Sequence, residues 1–296
     1  MNIAVIGDVM LDKYNDVVVR NNPENTAPAY TIEDVSFKLG GAANAALMLQ
    51  QFGAKVKLLG CVGADDNAKI IKNILEAHEI PNVLLQSITP TILKERFISD
   101  KYLFRVDFDF GYDLIETDER ILINAIERDK FDAIVVSDYA KGTLTKNFVE
   151  KLKALKIPMF VDTKPKNIEW YSGVAMIKPN RKEFLEIAKS YNYNNEIESN
   201  NAPELFKSAV CDISSKLGSL LLITLGSEGL IYSDGRNFGE VPGIKVNCVD
   251  VTGAGDVTMA AFVAKYLETK KLDVAANFAN EMAAKSVTQK QTGLCL

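Results

Sequence analysis

Short runs of apolar residues alternate with stretches of helical periodicity along most of the chain. Several runs are rich in β-branched residues, which favour buried strands, and they predict strands at NIAVIGD, KVKLLGCVG, AIVVSDY, MFVDTK, VAMIKPN and LLLITLG. The periodicity between them predicts helices at AANAALMLQQFG, AKIIKNILEAHE, TDERILINAIERD, KNFVEKLKALK, RKEFLEIAKSY and PELFKSAVCDISSKLG. Repeated strand, helix, strand order predicts an α/β fold with a mainly parallel sheet that helices cover on both faces.

Two stretches depart from this rhythm, residues 13–39 and 83–109. In NDVVVR, AYTIEDVSFKL, TILKERFISD and YLFRVDFD, apolar and polar residues roughly alternate, which predicts antiparallel strands that are wet on one face. We expect these segments to build a small sheet that projects from the main domain. Such a sheet either covers a cleft as a lid or pairs with a copy of itself.

The composition and charge of the chain argue against nucleic acid and membrane as binding partners. The 296 residues carry 34 Lys and Arg against 39 Asp and Glu, a net charge of −5, whereas a nucleic-acid surface normally shows as a basic excess. No apolar run approaches the roughly 18 to 20 residues of a membrane helix, and the opening MNIAVIGDVMLD has no basic region and no cleavage site of a signal peptide. We therefore expect a cytoplasmic protein that binds neither nucleic acid nor membrane.

The cysteines and the single histidine exclude several chemistries. Cys61, Cys211, Cys248 and Cys295 are scattered and form no CxxC pair, so we expect all four to be reduced and structural. His78 stands in EAHEIPN, where we expect a polar residue at the end of a helix. One histidine cannot support a Ser-His-Asp or Cys-His arrangement, nor a metal centre built from several histidines.

The segment VDVTGAGDVTMAAFVAKYLE carries the strongest chemical signal. Gly253, Ala254 and Gly255 predict a tight turn into an amphipathic helix, which leaves backbone N–H groups free to bind an anion. Asp256 falls in the first turn, where a carboxylate can take a proton from a hydroxyl that attacks a bound phosphoryl group. The alternative is that Asp256 caps the helix, and the sequence leaves both open. Neither a GxGxxG fingerprint nor a P-loop is present.

A second glycine pair precedes an early helix. Gly40 and Gly41 permit close backbone approach to a ligand, and Asn44 offers a donor and an acceptor to a hydroxylated substrate. The alternative for the glycines is close helix packing. Asp12, after the first strand, is suited to accept hydrogen bonds from sugar hydroxyls, or it is a turn carboxylate.

Cations gather on the strands of the expected lid. Lys94, Arg96 and Arg105 lie on two neighbouring predicted strands, and an arginine can bind a phosphate through two hydrogen bonds. This pattern favours a substrate that already carries a phosphate. The alternative is that these are exposed charges paired with Glu95 and Asp107. Two further lysines, at the ends of strands facing the expected crevice, are candidates for phosphate contacts: Lys141 and Lys164.

GGAANAA near the start and DVTGAGD near the end resemble the two signatures of the ribokinase-like (PfkB) carbohydrate kinases, in that family's order and separation. Within this family, GDVMLDKY, NPENTAP, TILKERF, FRVDFD, SDYAKG, VDTKPKN and KPNRKEF resemble the kinase module of the bacterial heptose 7-phosphate kinases. The resemblance implies a single kinase domain over residues 1–296. Its expected fold is a three-layer α/β/α arrangement with a mainly parallel central sheet and a projecting β-sheet lid.

The resemblance also implies roles for residues. Asp256 would be the catalytic base, and the amides of Gly253, Ala254 and Gly255 would hold the transferring phosphate. The residues expected to bind the sugar phosphate are Asp12, Gly40, Gly41, Asn44, Lys94, Arg96, Arg105, Asp138 and Lys141. Those expected to bind the nucleotide are Lys164, Asn180, Glu183, Thr224, Gly226, Ser227, Gly229 and either Asn277 or Asn280.

The implied cofactors are ATP and Mg²⁺, with a monovalent cation as a further candidate. Glu183, in the NxxE motif, would act on Mg²⁺ through water, and Asp250 is a second candidate for the metal. The implied partners are a sugar phosphate and a second copy of the chain, joined through the lid sheets. Lys178 stands where we expect a threonine from the heptose kinases, and the sequence does not explain this difference.

The leading hypothesis is an ATP-dependent kinase that phosphorylates the anomeric hydroxyl of a heptose 7-phosphate, a step toward ADP-heptose and surface polysaccharide. A kinase of another sugar or sugar phosphate, such as ribose or a fructose phosphate, is the alternative within the enzyme class. A sugar-binding sensor without turnover is the alternative outside it. The GAGD and NxxE motifs disfavour the sensor, because a protein that only binds needs no base beside an anion site.

Overall fold

The computed structural model describes residues 1–24, 26–193, 197 and 203–288. The strands within them are β1 (Asn2–Arg20), β2 (Ala29–Gly41), β3 (Lys55–Gly63), β4 (Asn82–Ser87), β5 (Ile92–Ile98), β6 (Tyr102–Phe108), β7 (Ala133–Asp138), β8 (Met159–Thr163), β9 (Met176–Ile177), β10 (Leu220–Thr224), β11 (Gly229–Ser233) and β12 (Phe238–Pro242). The helices are α1 (Ala42–Gln51), α2 (Asp66–Ala77), α3 (Glu116–Glu127), α4 (Lys146–Ala154), α5 (Arg181–Ser190), α6 (Pro203–Leu217), α7 (Ala254–Thr269) and α8 (Leu272–Ser286).

The central sheet has the strand order β12-β11-β10-β9-β8-β7-β1-β3-β4. Its strands from β10 to β4 pair in parallel, and β11 and β12 continue it as antiparallel strands. Successive residues of β1 enter opposite cores: Ile3 and Val5 pack with α1, α2, α7 and α8, whereas Ala4 and Ile6 pack with α3 to α6. Helices therefore cover both faces, and the predicted parallel α/β architecture is confirmed.

The predicted strands and helices of the central domain are also confirmed, and local capping explains several of their ends. Asp65 accepts a hydrogen bond from the backbone of Ala68 at the start of α2, and Thr145 caps α4 in the same way. His78 ends α2, as expected. The sequence pattern did not predict the hairpin of β11 and β12, nor α8, whose alanine-rich sequence has weak periodicity.

The lid differs in detail from the expectation. β1 runs on from the central sheet into the lid, where it pairs antiparallel with β2 and parallel with β5 from Met10 onward, and β6 pairs antiparallel with β5. The lid therefore contains a parallel pair and begins before residue 13. β4, which lies within the predicted lid segment 83–109, belongs instead to the edge of the central sheet, because it pairs with β3.

Three further expectations can be compared with the structure. Cys61 is buried, whereas Cys248 is exposed and so does not have the structural role expected of it; Cys295 lies outside the described residues. Much of the surface loop expected at 191–204 also lies outside them. No helix in the described part of the chain is long and apolar enough to cross a membrane.

Gly41 lies where β2 passes close to β1. It has a left-handed backbone (φ 56°), and a Cβ atom there would lie 2.3 Å from the carbonyl oxygen of Asp8. Gly40 lies against Met10 and the carboxylate of Asp12 in the same way. The close contact of two strands thus accounts for both glycines.

We predict that Gly41→Ala lowers the free energy of unfolding much more than Gly53→Ala. Gly53 is the matched control, because it also has a positive φ (82°), but a Cβ atom at this position would have no other atom within 4 Å. The left-handed backbone should cost about 1 to 2 kcal/mol at both positions, and the overpacking at Gly41 should add roughly 1 to 3 kcal/mol. Urea unfolding measures both. Equal losses would show that the strand contact at Gly41 is not tight.

Candidate active site

A polar cleft of about 250 Å³ opens at the carboxyl ends of β7, β8, β9 and β10, beside the start of α7. Ligands of open α/β sheets bind at this edge of the sheet. The cleft is lined by Asp138, Tyr139, Asp162, Lys164, Lys178, Asn180, Glu183, Thr224, Gly253, Gly255 and Asp256. Residues from the carboxyl ends of four strands and from the starts of α5 and α7 therefore meet in one place. The polar signals at the strand ends predicted such a cleft.

The first turn of α7 has no side-chain cap. Gly253 adopts the left-handed conformation (φ 80°) that turns the chain into the helix, and no side chain bonds to the helix start. Asp256 does not cap the helix either, since its carboxylate accepts a hydrogen bond from the Asn44 amide at 2.6 Å. The Ala254 N–H donates to the Val251 carbonyl at 3.3 Å, so of the amides expected to hold an anion this one is already used within the chain. No side chain caps the other N–H groups of the first turn, and such groups at a helix start can bind an anion.

Asp256 has the properties of a general base. Burial raises its pKa to about 6; the nearby Asp162 and Asp12 raise it as well, while Asn44 and Lys178 lower it. Asn44 itself is buried at the start of α1, which fixes its amide on the carboxylate. A carboxylate that titrates near neutral pH is matched to the transfer of a proton from a hydroxyl.

Lys178 is a buried cation beside the anion site. The residue is 3% exposed, its Nζ lies 2.8 Å from Asp162, and a Cβ at Gly255 would lie 3.5 Å from that Nζ. Burial alone would lower the pKa of Lys178, but Asp162 and the other carboxylates of the cleft raise it, so the group remains charged. The sequence did not explain why a lysine stands at position 178. In the structure its ammonium adds positive charge next to the first turn of α7.

Glu183 is held by the start of α5. Its carboxylate accepts from the Asn180 backbone at 3.0 Å while the Asn180 side chain accepts from the Glu183 backbone at 2.9 Å, which is a capping box. The other oxygen lies 2.7 Å from Lys164 Nζ. The NxxE motif thus fixes a carboxylate at the cleft. The same motif forms the capping box that starts α5.

The loop after β7 is held by two buried carboxylates. Asp8 accepts from the backbone of Tyr139, Lys141 and Thr143 at 2.8 to 3.2 Å. Asp138 accepts from Ala140, Thr163, Asn167 and Tyr171 at 2.8 to 2.9 Å.

These contacts change two expectations. With four donors inside the fold, the Asp138 carboxylate has a structural environment, and the sugar contact expected of it is not supported. The Lys141 ammonium forms an ion pair with Asp109 and does not line the cleft. Sequence analysis also missed Tyr139 and Asp162, which line the cleft within the SDYAKG and VDTKPKN motifs.

The lid cations differ in availability. Arg96 forms a buried ion pair with Asp12, at 2.6 Å, and Arg105 makes two bonds to Asp107, at 2.6 and 2.8 Å. Pairing with Asp107 was the alternative considered for these cations. Lys94 differs, because no carboxylate of the described residues lies within ion-pair distance of it; its ammonium lies over the ring of Tyr139, 4.6 Å from the centroid.

A larger and mainly apolar pocket of about 540 Å³ adjoins the cleft. The two share Thr224 and Gly255, so one elongated ligand can occupy both. The pocket is lined by Gly226, Ser227, Gly229, Leu230, Ile244, Lys245, Val246, Cys248, Val251, Ala254, Thr258, Asn280, Ala283, Ala284 and Val287 in addition. Apolar walls with few polar groups suit a flat heterocycle such as adenine.

The sequence offered Asn277 and Asn280 as alternative contacts for the nucleotide, and only one of them lines the pocket. Asn280 is buried in it and donates to the Pro242 carbonyl at 2.9 Å. Asn277 is exposed and donates to the Asp273 carbonyl of its own helix. Asp250 lines neither cavity, since its carboxylate accepts from the Thr252 backbone, and its proposed contact with a metal is not supported.

A carboxylate with a raised pKa lies beside a helix N-terminus, and the cleft that holds them adjoins an apolar pocket. Transfer of a phosphoryl group from a nucleotide to a hydroxyl needs features of this kind. A family model described as pfkB family carbohydrate kinase matches residues 1–296, and the chain belongs to this family. Similar curated proteins include the bifunctional protein HldE of Marinomonas sp. (strain MWYL1), 35% identical over 291 residues, and that of Shewanella loihica, 32% identical over 289 residues. Each alignment covers 95% of this chain but 59% of the relative, so the chain spans about three fifths of their length.

Solved structures support the same fold. Phosphofructokinase-2 from Escherichia coli in complex with potassium has a TM-score of 0.82 at 17% identity, with 100% of this chain and 94% of that chain covered. Ribokinase from Thermotoga maritima has a TM-score of 0.74 at 19% identity, with 98% and 94% covered. The ribokinase-like three-layer α/β/α fold expected from the sequence is confirmed.

We predict that phosphoryl transfer is lost in acid with a midpoint near pH 6, because the Asp256 carboxylate must be ionised to accept a proton. Asn44→Ala should move that midpoint to higher pH, since it removes a hydrogen bond that favours the ionised form. The measurement is the pH dependence of kcat/KM. Asn73→Ala, at an exposed position of α2, is the control and should leave the profile unchanged. A profile that is flat between pH 5 and 7 would contradict the role of Asp256.

Proposed function

We propose that this protein is an ATP-dependent kinase that transfers the γ-phosphoryl group to the anomeric hydroxyl of a heptose 7-phosphate. The product would be a heptose 1,7-bisphosphate, a precursor of ADP-heptose for surface polysaccharide. The motifs SDYAKG and FRVDFD, which resemble the heptose 7-phosphate kinases, support this substrate, and so does the similarity to HldE proteins. The cytoplasm, where ATP is available, is the proposed location.

The observation that carries the proposal is the state of Lys94. Burial lowers its pKa, and neighbouring Arg105 and Arg96 lower it further, while Asp12 and Asp107 raise it. Lys94 is partly buried and has no paired carboxylate among the described residues, and a phosphate group on the substrate would supply acceptors for its ammonium. Lys94 lies on β5 of the lid, so we propose that the substrate phosphate binds on the lid side of the cleft.

The proposed reaction is an in-line transfer. Asp256, oriented by Asn44, accepts the proton of the sugar hydroxyl. The first-turn amides of α7 and the Lys178 ammonium stabilise the charge that develops on the transferring group. The apolar pocket with Asn280 holds the adenine, and Asp12, held by Arg96, accepts from the sugar.

The cleft fits Mg²⁺ bound mainly by phosphate oxygens and water. The described residues contain no group of three or more side chains that could hold a metal by themselves. Glu183 and Asp162 line the cleft but are paired with Lys164 and Lys178, so we propose that they act on the metal through water. When bound, the metal neutralises phosphate charge during transfer.

We further propose a homodimer formed through the lids. Lys94 and Arg96 lie on the face of the lid toward the cleft, and the opposite face exposes large apolar side chains at alternate positions. These residues are Tyr30, Ile32, Val35, Phe37, Phe104, Val106 and Phe108. An apolar patch of this extent is unusual on a monomer and fits a partner with an equivalent patch, as a second lid would provide.

The substrate is tested by ADP release over heptose 7-phosphate, fructose 6-phosphate, ribose and free heptose. We expect heptose 7-phosphate to be preferred. Lys94→Met should lower kcat/KM for it about 10- to 150-fold, the loss of one charge-assisted contact, with little change in the KM for ATP. Arg105→Gln is the matched control and should have a small effect, because Asp107 already neutralises Arg105.

Preference of the parent for a free sugar, or an unchanged kcat/KM of Lys94→Met for every phosphorylated sugar, would refute the heptose phosphate proposal. Preference for fructose 6-phosphate with the Lys94 effect retained would favour the sugar phosphate alternative. Asp256→Asn provides the inactive reference, and activity in this variant equal to that of the parent would refute the proposed base.

We predict that Ile32→Glu converts the dimer into a monomer, since it places a charge within the apolar lid face. Ile121→Glu is the matched control, because Ile121 is 48% exposed, as is Ile32, but lies on α3. Sedimentation velocity measures the mass of each variant. A parent protein that is monomeric, or a dimer that survives Ile32→Glu, would contradict the lid interface.

A further inference from the structure

The ring of Tyr139 is close to two lysines that different parts of the fold contribute. It follows β7 directly and lines the cleft together with Asp256. The ammonium of Lys94, from the lid, lies 4.6 Å from the centre of its ring, and that of Lys164, which follows β8, lies 5.2 Å from it. One aromatic ring is therefore in contact with a lysine of the lid and with a lysine that is expected to bind the nucleotide.

The fold fixes this ring by unusual means. The buried Asp8 carboxylate holds the Tyr139 backbone at 2.8 Å, and the buried Asp138 carboxylate holds that of Ala140 at 2.8 Å. Ala140 has a left-handed backbone (φ 59°), which an alanine adopts only at a cost. Strain of this kind persists where the surrounding structure compensates it, and it is concentrated at functional sites.

From this geometry we infer that Tyr139 is a positioning residue. Its ring holds Lys94 in place for the phosphate of the sugar and Lys164 in place for the phosphates of the nucleotide. A lysine side chain has many rotamers, and ordering it before the ligand arrives reduces the entropy lost on binding. Lys94 depends most on the ring, because Lys164 is also held by Glu183. The inference rests on the proposed function only in requiring a phosphorylated sugar for Lys94.

A set of three variants separates the ring from the hydroxyl. Tyr139→Phe keeps the ring and should retain kcat/KM within about threefold, whereas Tyr139→Leu should raise the KM for the phosphorylated sugar about 5- to 30-fold, as expected for the loss of a partly desolvated cation–π contact. The change in kcat should be smaller. Tyr191→Leu removes a ring that lies near Lys216, away from the cleft, and should leave all kinetic constants unchanged.

A double-mutant cycle tests whether Tyr139 acts through Lys94. If it does, Tyr139→Leu combined with Lys94→Met should raise the KM for the phosphorylated sugar no further than Lys94→Met alone, because Lys164 is assigned to the nucleotide. Additive losses would overturn the inference, and so would a Tyr139→Phe variant as impaired as Tyr139→Leu. Thermal unfolding is measured first. If Tyr139→Leu does not fold, Tyr139→Met replaces it in the cycle.

The cycle is run with whichever phosphorylated sugar the parent prefers, so it remains valid if heptose 7-phosphate is not the substrate. If the parent uses only free sugars, the heptose phosphate proposal fails, and the inference is then decided by binding of a non-hydrolysable ATP analogue. Tyr139→Leu should weaken that binding, and should weaken it no further when Lys164→Met is also present. Unchanged binding in Tyr139→Leu would overturn the inference in that case.

Discussion

The cleft depends on one continuous strand. β1 contributes its first residues to the central sheet and, from Met10 onward, forms the lid with β2 and β5. Asp8 lies near the point where β1 passes from one sheet to the other, and its carboxylate holds the loop that carries Tyr139. Asp12 follows four residues later on β1, and its partner Arg96 lies on the neighbouring β5. The base of the lid, the loop after β7 and the sugar side of the cleft are thus parts of one hydrogen-bonded unit.

Charge pairing explains how the site can be both buried and specific. Five cations around the cleft and the lid are paired with carboxylates: Lys178 with Asp162, Lys164 with Glu183, Arg96 with Asp12, Arg105 with Asp107 and Lys141 with Asp109. Lys94 and Asp256 are held differently from these pairs. Lys94 has an aromatic ring in place of a carboxylate, and Asp256 has the neutral amide of Asn44 in place of a cation. Groups held in this way are the ones left available for a ligand phosphate and a proton.

The sequence predicted what local periodicity and turns encode. The strands and helices of the central domain, the turn into α7 and the approach of polar strand ends follow from patterns a few residues long. The pairing of β5 parallel to β1, and of β4 with β3, joins segments far apart in the chain, so no local pattern reveals it. The site shows the same division. Arg96 pairs with Asp12, whereas Lys94 has no carboxylate partner among the described residues. This difference depends on how side chains lie across the pairing of β5 with β1, which no local pattern reveals.

The raised pKa of Asp256 also bears on the stability of the protein. Its pKa is raised from 3.8 to about 6, so the folded chain holds that proton more tightly than the unfolded chain does. This stabilises the fold below about pH 4, and the contribution is lost as the pH rises through 6. At neutral pH the molecule therefore carries an ionised carboxylate that opposes folding. At position 256 the proposed reaction needs a carboxylate, whereas a neutral side chain would give a more stable fold at neutral pH. Selection for higher thermal stability would therefore act against activity at this position.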